Sequence, residues 1–333
     1  MDSQPLTGVI AGFGNIGRAV TRFLREHRPA AARIVGICDP IPVARDAAVR
    51  DFGLAATADF DELLRLRPDF VVIASTSAAH AEQVIRAARA GCHIFCEKPV
   101  ALSLDEADRA IAAAETARVV NQVNYSLRYI EAYRTLHTWI REGRFGRLLA
   151  LTHVRTRGFG LHAAGARHPA VIAPEKSGGW TVHHACHGLD LLYWLNGPFT
   201  SVYGRTASTV PGATTEEVVE GTLTFANGAI GHIVDSVCGI RDHYTLIVGD
   251  AGSAVLTGER EHTRLRFQAE GAPAEELVPV RDIKDPGAAF DEFFSCIRGG
   301  QASPHSLREA RASLAAALAL QESARTGRAI TPG

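Results

Sequence analysis

The stretch GFGNIG at residues 12–17 constrains this chain more than any other. It lies between TGVIA (7–11), a β-favouring run, and RAVTRFLREH (18–27), whose apolar residues recur at helical spacing. A G-x-G-x-x-G that joins a strand to a helix is the fingerprint of a dinucleotide site. Gly12 permits the tight turn, Gly14 lets backbone approach a pyrophosphate, and Gly17 lets helix and strand pack closely. The anion then sits on the helix N-terminus, with Phe13, Asn15 and Ile16 completing the cofactor-facing turn.

A second strand, ARIVGIC (32–38), runs into Asp39, 22 residues after Gly17, where this fold expects an acidic group on the adenosine ribose. A carboxylate there repels a 2'-phosphate, which favours NAD; Arg45, close in sequence, leaves NADP open. The competing reading of Asp39 is a turn or capping aspartate before Pro40. Next come DELLRLRP (61–68) as a helix, DFVVIAS (69–75) as a buried strand, AHAEQVIRAARAG (79–91) as a helix, and HIFCEKP (93–99) as a strand with its exit. This alternation implies a doubly wound parallel sheet, whose ligands lie outside the carboxyl ends of its strands. Ser75, Thr76, His80, Glu97 and Lys98 are therefore expected near the cofactor. Pro99 biases Lys98 away from helical geometry. A lysine ammonium held there can stabilise a developing alkoxide, whereas the plainer alternative is a solvated surface lysine.

A length of 333 residues exceeds what one core usually organises and suggests two domains, read as 1–124 and 125–333. With 46% hydrophobic and 21% charged residues and a formal net charge of -1, the chain has no basic field to draw nucleic acid or anionic lipid. A small-molecule ligand is expected instead. The six cysteines form no C-x-x-C pair, the N-terminal residues lack a secretory pattern, and no run approaches 18 apolar residues, so a cytoplasmic protein with reduced thiols and no membrane span is expected.

From about residue 125 the alternation stops, and RLLALTHVRT, SVYGRTA, VVEGTLTF, AIGHIVDSV, YTLIVG and SAVLT read as strands, with an Asn-Gly hairpin signal in ANGA (226–229). An antiparallel sheet with one face open to a partner follows. Between the strands, SGGWTVHHACHGLDLL (177–192) reads as a helix starting after Gly179 and stopping at Asn196-Gly197-Pro198. His183 and His187 are four apart and share a face, Asp190 neighbours His187, and His184 faces elsewhere. The comparison with H-E-x-x-H fails because His184 stands in the glutamate position and no third ligand is identifiable, so no metal is expected. Acid/base work suits an imidazole that titrates near neutral pH, with a satisfied core histidine as the competing reading. Asp190 either orients His187 or caps local polar groups. Residues 157–179, with Arg157, His162, Arg167, His168 and Lys176 against Glu175, are long for a plain connection and read as a lid or substrate loop, or else a solvated excursion. The alanine-rich C-terminal stretch SLREARASLAAALALQESARTG reads as a structural helix.

Five segments together resemble the glucose-fructose oxidoreductase, inositol dehydrogenase and rhizopine-catabolism (Gfo/Idh/MocA) family: AGFGNIG, AGCHIFCEKPVALSLDEA, NYSLRY, GGWTVHHACHGLDLLYWLNG and ESARTGRAI. The resemblance implies an N-terminal Rossmann domain and a C-terminal α/β domain on an open, largely antiparallel sheet that commonly supports homodimers or homotetramers. It also implies NAD(P)-dependent oxidation or reduction of sugars, cyclitols or their derivatives. Lys98 of E-K-P and His187 correspond to the family's active-site lysine and histidine. Two departures stand out: His183 occupies the place where many relatives have an aspartate, and Ser75-Thr76-Ser77 replaces their T-P-N. His183 is accordingly a catalytic candidate, and Arg128, Arg157, His183, His184 and His187 are substrate-binding candidates, with Tyr129 beside Arg128. The leading expectation is an NAD(H)-dependent oxidoreductase acting on CH-OH groups. The alternatives are an NAD-dependent glycoside-cleaving enzyme working by transient oxidation, and a non-catalytic dinucleotide sensor.

Overall fold

The computed structural model describes residues 4–158, 173–208, 216–258, 262–273, 275–280 and 285–333. The chain divides into two compact units, residues 1–124 with 287–311, and residues 125–286 with 312–333.

In the first unit, β1 (Leu6–Ala11), β2 (Ala32–Cys38), β3 (Ala55–Thr57), β4 (Phe70–Ile73), β5 (His93–Cys96) and β6 (Asn121–Val123) form one parallel sheet in the order β3-β2-β1-β4-β5-β6. Every residue of β4 is buried, as expected of an inner strand covered on both faces. The connections carry α1 (Asn15–His27), α2 (Pro42–Phe52), α3 (Phe60–Leu64), α4 (Ser77–Arg89) and α5 (Leu104–Ala117). Local chemistry sets several of their ends. Pro42 opens α2 and Gly53, at φ 64°, closes it. Ser103 caps α5 by accepting from the Glu106 N–H, and the Glu106 carboxylate accepts from the Leu102 N–H. α3 stops at Leu64, short of the expected helix through Pro68.

Helix α8 is preceded in the chain by α6 (Glu131–Arg141) and α7 (Cys186–Asn196), and spans Pro286–Gly299. It contributes Phe290, Phe293 and Phe294 to a ring cluster with Phe70 of β4 and Phe95 of β5; Phe95 and Phe290 stack at 4.3 Å. Residues 287–311 thus belong to the first unit, where the sequence reading put everything after 124 in the second. The difference arises because α8 has no strand-helix alternation to announce it and finds its apolar partners only in three dimensions. Helix α9 (Leu307–Thr326) begins in the first unit and continues in the second.

The second unit is built on β7 (Leu148–Thr156), β8 (Phe199–Ala207), β9 (Val218–Phe225), β10 (Ile230–Ser236), β11 (Asp242–Gly249), β12 (Gly252–Thr257), β13 (Arg264–Ala269) and β14 (Glu276–Val278). Their order is β14-β13-β12-β11-β7-β10-β9-β8; only β7 and β10 run parallel, and the other neighbours are antiparallel. Asn227-Gly228 closes the β9–β10 hairpin with Gly228 at φ 84°. β13 and β14 were not among the expected strands. Burial alternates along β9, β11 and β12, so one face is covered while the other is partly open.

The aromatic cluster gives a direct check on the boundary. Phe293 is fully buried, so Phe293→Ala should lower the unfolding free energy by about 3–5 kcal/mol, read as a reduced urea midpoint at unchanged slope.

Candidate functional site

The first unit reverses its strand order between β1 and β4, and the chain emerging from each meets there. Gly12 adopts φ 90°, and a Cβ on it would lie 2.5 Å from the Ser75 backbone. A Cβ on Gly17 would lie 2.1 Å from the Gly12 carbonyl oxygen, so helix α1 can lie this close only over glycine. Gly14, by contrast, faces open space, and Asn15 and Ile16 beside it are exposed. α1 starts without a side-chain cap and without an acidic residue in its first turn. Its leading N–H groups and the positive end of its dipole are thus well suited to a phosphate.

Asp39 is buried at the end of β2, and its two oxygens accept from the Phe13 N–H (2.7 Å) and the Ile41 N–H (2.8 Å). Each oxygen keeps a second lone pair for a ribose hydroxyl. Arg45 donates from Nη1 to the carbonyls of Asp39 and Pro40. These residues fit a dinucleotide: a glycine cradle with room at Gly14, an uncapped helix end, and a carboxylate fixed at the end of β2 beside the glycine turn. Phe13 takes part through its backbone, since its ring is fully buried against Phe52.

The exit of β5 is held from beneath. His80 is buried, with Nδ1 2.7 Å from the Pro99 carbonyl and Nε2 3.2 Å from that of Ser75. Burial pushes its pKa down, and a neutral ring has one N–H, which the shorter contact assigns to Nδ1. His80 was expected at the cofactor; in the structure it props the turn at Lys98–Pro99, a cis peptide. Lys98 and Glu97 are half-buried, and Glu97 accepts from the Asn124 amide at 2.7 Å. Ser75 donates to Gln83, and Thr76 is exposed at the start of α4.

In the second unit the histidine segment differs from a plain helix: Thr181–Ala185 is a π-helical turn that runs into α7. Such turns are uncommon and often sit at functional sites. His183 is half-exposed, whereas His184 and His187 are buried. His184 was expected to face away from His187. Instead their rings lie edge to face at 5.7 Å, because positions three apart are helical neighbours and because His184 is drawn inward by what lies beneath it. It stacks on Trp180 at 4.2 Å, and its Nδ1 lies 2.8 Å from Asp235 of β10, which also accepts from Trp180 Nε1 at 2.7 Å. The Tyr125 ring meets His187 from another side at 6.1 Å. Gly188 lets α7 lie on the sheet, since a Cβ there would be 2.8 Å from His153.

Arg128 and Asp190 find each other across the sequence. Arg128, expected at the substrate, is buried and donates both Nε and Nη2 to Asp190, at 2.8 and 2.7 Å. Asp190 consequently serves that pair and Ser313, which donates at 2.9 Å, contacts that fit its reading as a cap of local polar groups. The physical reason is that a fully buried carboxylate requires a cation and hydrogen bonds. Arg157 is half-buried just past β7, with its N–H on the Ser236 carbonyl. Of the expected lid, residues 159–172, with His162, Arg167 and His168, lie outside the described residues; Glu175 and Lys176 are exposed on a single helical turn. Among the described residues no three or more His, Cys, Asp or Glu gather as metal ligands, and no helix is long and apolar enough to cross a membrane.

Beneath α7 lies a polar row that sequence reading missed. Asp235, Arg155 and His243 face one another across β10, β7 and β11, and His153 bonds Thr245 at 2.9 Å. Arg155 is buried and donates to His243 at 3.2 Å. The available signal was parity: His153 and Arg155 share the inward phase of β7 with Leu151.

The fold and the cradle define a dinucleotide-binding enzyme with a separate α/β unit. The sequence matches the oxidoreductase family with an NAD-binding Rossmann fold over residues 6–125, and that family's C-terminal alpha/beta domain over 138–331. It is similar to 1,5-anhydro-D-fructose reductase of Ensifer adhaerens (30% identity; 78% of this chain, 79% of the relative). It is also similar to 2,7-anhydro-N-acetylneuraminate hydratase of Escherichia coli (28%; 78% and 69%). Among solved structures, the WlbA dehydrogenase from Bordetella pertussis in complex with NADH and UDP-GlcNAcA superposes with a TM-score of 0.84 at 26% identity, covering 99% of each chain. The protein belongs to the Gfo/Idh/MocA oxidoreductase family and carries that family's NAD-binding domain.

The buried row beneath α7 sets a pH dependence. Burial, with His243 and Arg155 adding to it, pushes His153 down to about 3; burial and Arg155 do the same to His243. Below the ordinary imidazole value of 6.5 the unfolded chain therefore takes up two protons that the folded one excludes, so this stability is present above 6.5 and is lost as pH falls toward about 3. Asp235 acts oppositely, since burial, partly offset by Arg155, raises it from 3.8 to about 6 and its contribution falls as pH rises through that range. Two imidazoles outweigh one carboxyl. The thermal midpoint should drop between about pH 7 and about pH 4, and His153→Gln should flatten that drop in a differential scanning fluorimetry series.

Proposed function

We propose that this protein is an NAD(H)-dependent oxidoreductase that interconverts a secondary alcohol and a ketone on a sugar, cyclitol or glycoside. The observation that carries the reading is that a chain of this oxidoreductase family places Lys98, half-buried, at the exit of β5 of its NAD-binding unit and His187, buried, on the helix that follows the π-turn of its second unit. A sensor would need neither group. The relatives' names, a reductase of an anhydro-sugar and a dehydrogenase crystallised with a nucleotide sugar, support a carbohydrate-like substrate.

Gly12, Phe13, Gly14, Asn15, Ile16 and Gly17 hold the pyrophosphate region through backbone, Asp39 takes the adenosine ribose, and Ser75 and Thr76 border the same crevice. When bound, NAD+ supplies a hydride acceptor and NADH a hydride donor. Lys98 directs its ammonium at the substrate oxygen, favouring the alkoxide that forms as the hydroxyl proton leaves in oxidation, or as hydride adds to the carbonyl carbon in reduction. His187 takes the hydroxyl proton in oxidation and returns it in reduction. His183, in the place of the relatives' aspartate, and Arg157 contact substrate substituents. An imidazole and a guanidinium there favour an acidic or acylated sugar over a plain polyol.

Asp39 supports NAD over NADP, because a 2'-phosphate would meet its carboxylate and Arg45 is already engaged by two carbonyls. The buried cysteines and the near-neutral composition support a cytoplasmic location. The partly open face of the second sheet, with Val154, Val234, Tyr244, Leu246 and Val255, supports a homodimer or homotetramer. Nucleic acid and membrane are not partners in this reading. A second reading, cleavage or hydration of a glycoside through transient oxidation, is favoured by the resemblance to the hydratase. It differs in consuming no NAD.

The test is a panel of sugars, uronates, inositols and glycosides with NAD+ or NADH, followed by absorbance of the reduced nicotinamide; a panel without any turnover overturns the reading. Lys98→Ala should lower kcat by roughly 10²- to 10³-fold while NAD+ affinity by calorimetry stays near wild type. Asp39→Ser should narrow the preference for NAD+ over NADP+ in the same titration; an unchanged ratio would show that Asp39 does not read the ribose.

A further inference from the structure

Buried carboxylates are expensive unless they have a task, and Asp235 is fully buried on β10 at the centre of the second sheet. Its surroundings are a designed set of contacts. Its Oδ1 accepts from Trp180 Nε1 at 2.7 Å and from His184 Nδ1 at 2.8 Å, with Oδ2 3.1 Å from the same nitrogen. The cations that face it are Arg155, which pairs with it in register from β7, and Arg157 just beyond that strand; His153 of β7 and His243 of β11 are the other titratable groups near it.

We infer that Asp235 and His184 form a positioning pair for His187, fixing the plane and the proton of one imidazole so that it aligns the next. This deepens the reading of His187 as the proton carrier and rests on it. Three contacts converge on His184. The carboxylate receives its Nδ1–H and so settles the tautomer; Trp180, parallel to it within 11° at 4.2 Å, settles the ring plane; and the ring then stands at 72° to that of His187, 5.7 Å away. Tyr125 meets the His187 ring at 85° from another side, and the His184 wall is tied directly to the Asp235 carboxylate. The Asp235 carboxylate lies against the His184 ring and that ring against His187, so a change of charge at Asp235 is felt at His187 across a few ångströms of protein interior. The π-turn that carries His184 also carries His183, so the same local irregularity sets both rings ahead of His187. His184 is accordingly a positioning residue rather than a substrate ligand: it is buried, with its polar edge turned to the sheet.

The experiment uses the full-length protein with NAD+, in two variants. Asp235→Asn keeps the shape and removes the charge; His184→Phe keeps the stack on Trp180 and removes the Nδ1 proton. The first readout needs no substrate: two-bond proton–nitrogen spectra of ¹⁵N-histidine-labelled protein, assigned by single replacements. The expected result is an Nδ1–H tautomer at His184 in the wild type, and a displaced His187 titration midpoint in both variants. The second readout is the kcat–pH profile on whichever panel compound turns over, where both variants should lose roughly tenfold or more in kcat, with the pH optimum displaced and NAD+ affinity retained. If Asp235→Asn does not fold, His184→Phe decides alone. A His187 titration midpoint and pH optimum equal to wild type in a folded variant would overturn the pair. A protein that shows the spectroscopic coupling but turns over no panel compound would sink the proposed reaction and leave the pair standing.

Discussion

The segment that carries His187 is held at both ends by a carboxylate that water does not reach. Asp190, within α7, is locked by the bidentate Arg128 contact and by Ser313; Asp235, beneath the preceding turn, takes Trp180 and His184. Removing one partner from such a buried pair strands a charge at a cost of about 3–5 kcal/mol, so these contacts confine the helix far more strictly than apolar packing of similar area would. The geometry of three neighbouring imidazoles depends on that confinement.

The same logic recurs in the first unit with different chemistry. There the constraint is the contact between the Gly12 turn, Ser75 and the first turn of α1, where any side chain at Gly12 or Gly17 would collide with backbone. Asp39 ties the turn to the end of β2, and His80 ties the exits of β4 and β5 together through two carbonyls. Each unit thus devotes buried polar groups to setting backbone or ring orientation, and leaves Gly14, Lys98 and His183 exposed or half-exposed beside them. This is how a preorganised site differs from a merely polar one.

Much of this was legible in advance because it is local. The glycine turn, the strand before it and the helix after it are contiguous, and their spacing can be read directly. The strands β7 to β12 announced themselves by alternation, and the end of α7 by Asn-Gly-Pro. Arg128 was a different matter. As an arginine beside a tyrosine near the domain junction it looked available for substrate, and nothing nearby in sequence reveals a partner 62 residues away. His184 was misjudged for a similar reason, since its orientation follows from Asp235, 51 residues on. α8 escaped the first unit in the reading because its phenylalanines match a sheet built from residues some 200 positions earlier.

Sequence alone determined the class of the first unit, the identity of the dinucleotide cradle, and which residue types could move a proton or steady an oxyanion. These depend on steric limits and titration chemistry that each residue brings with it. Tertiary structure alone decided which of the polar residues are spent inside. A charge or an imidazole is assigned its role by the partner that desolvation forces upon it, and that partner is chosen by strand register and helix packing rather than by proximity along the chain.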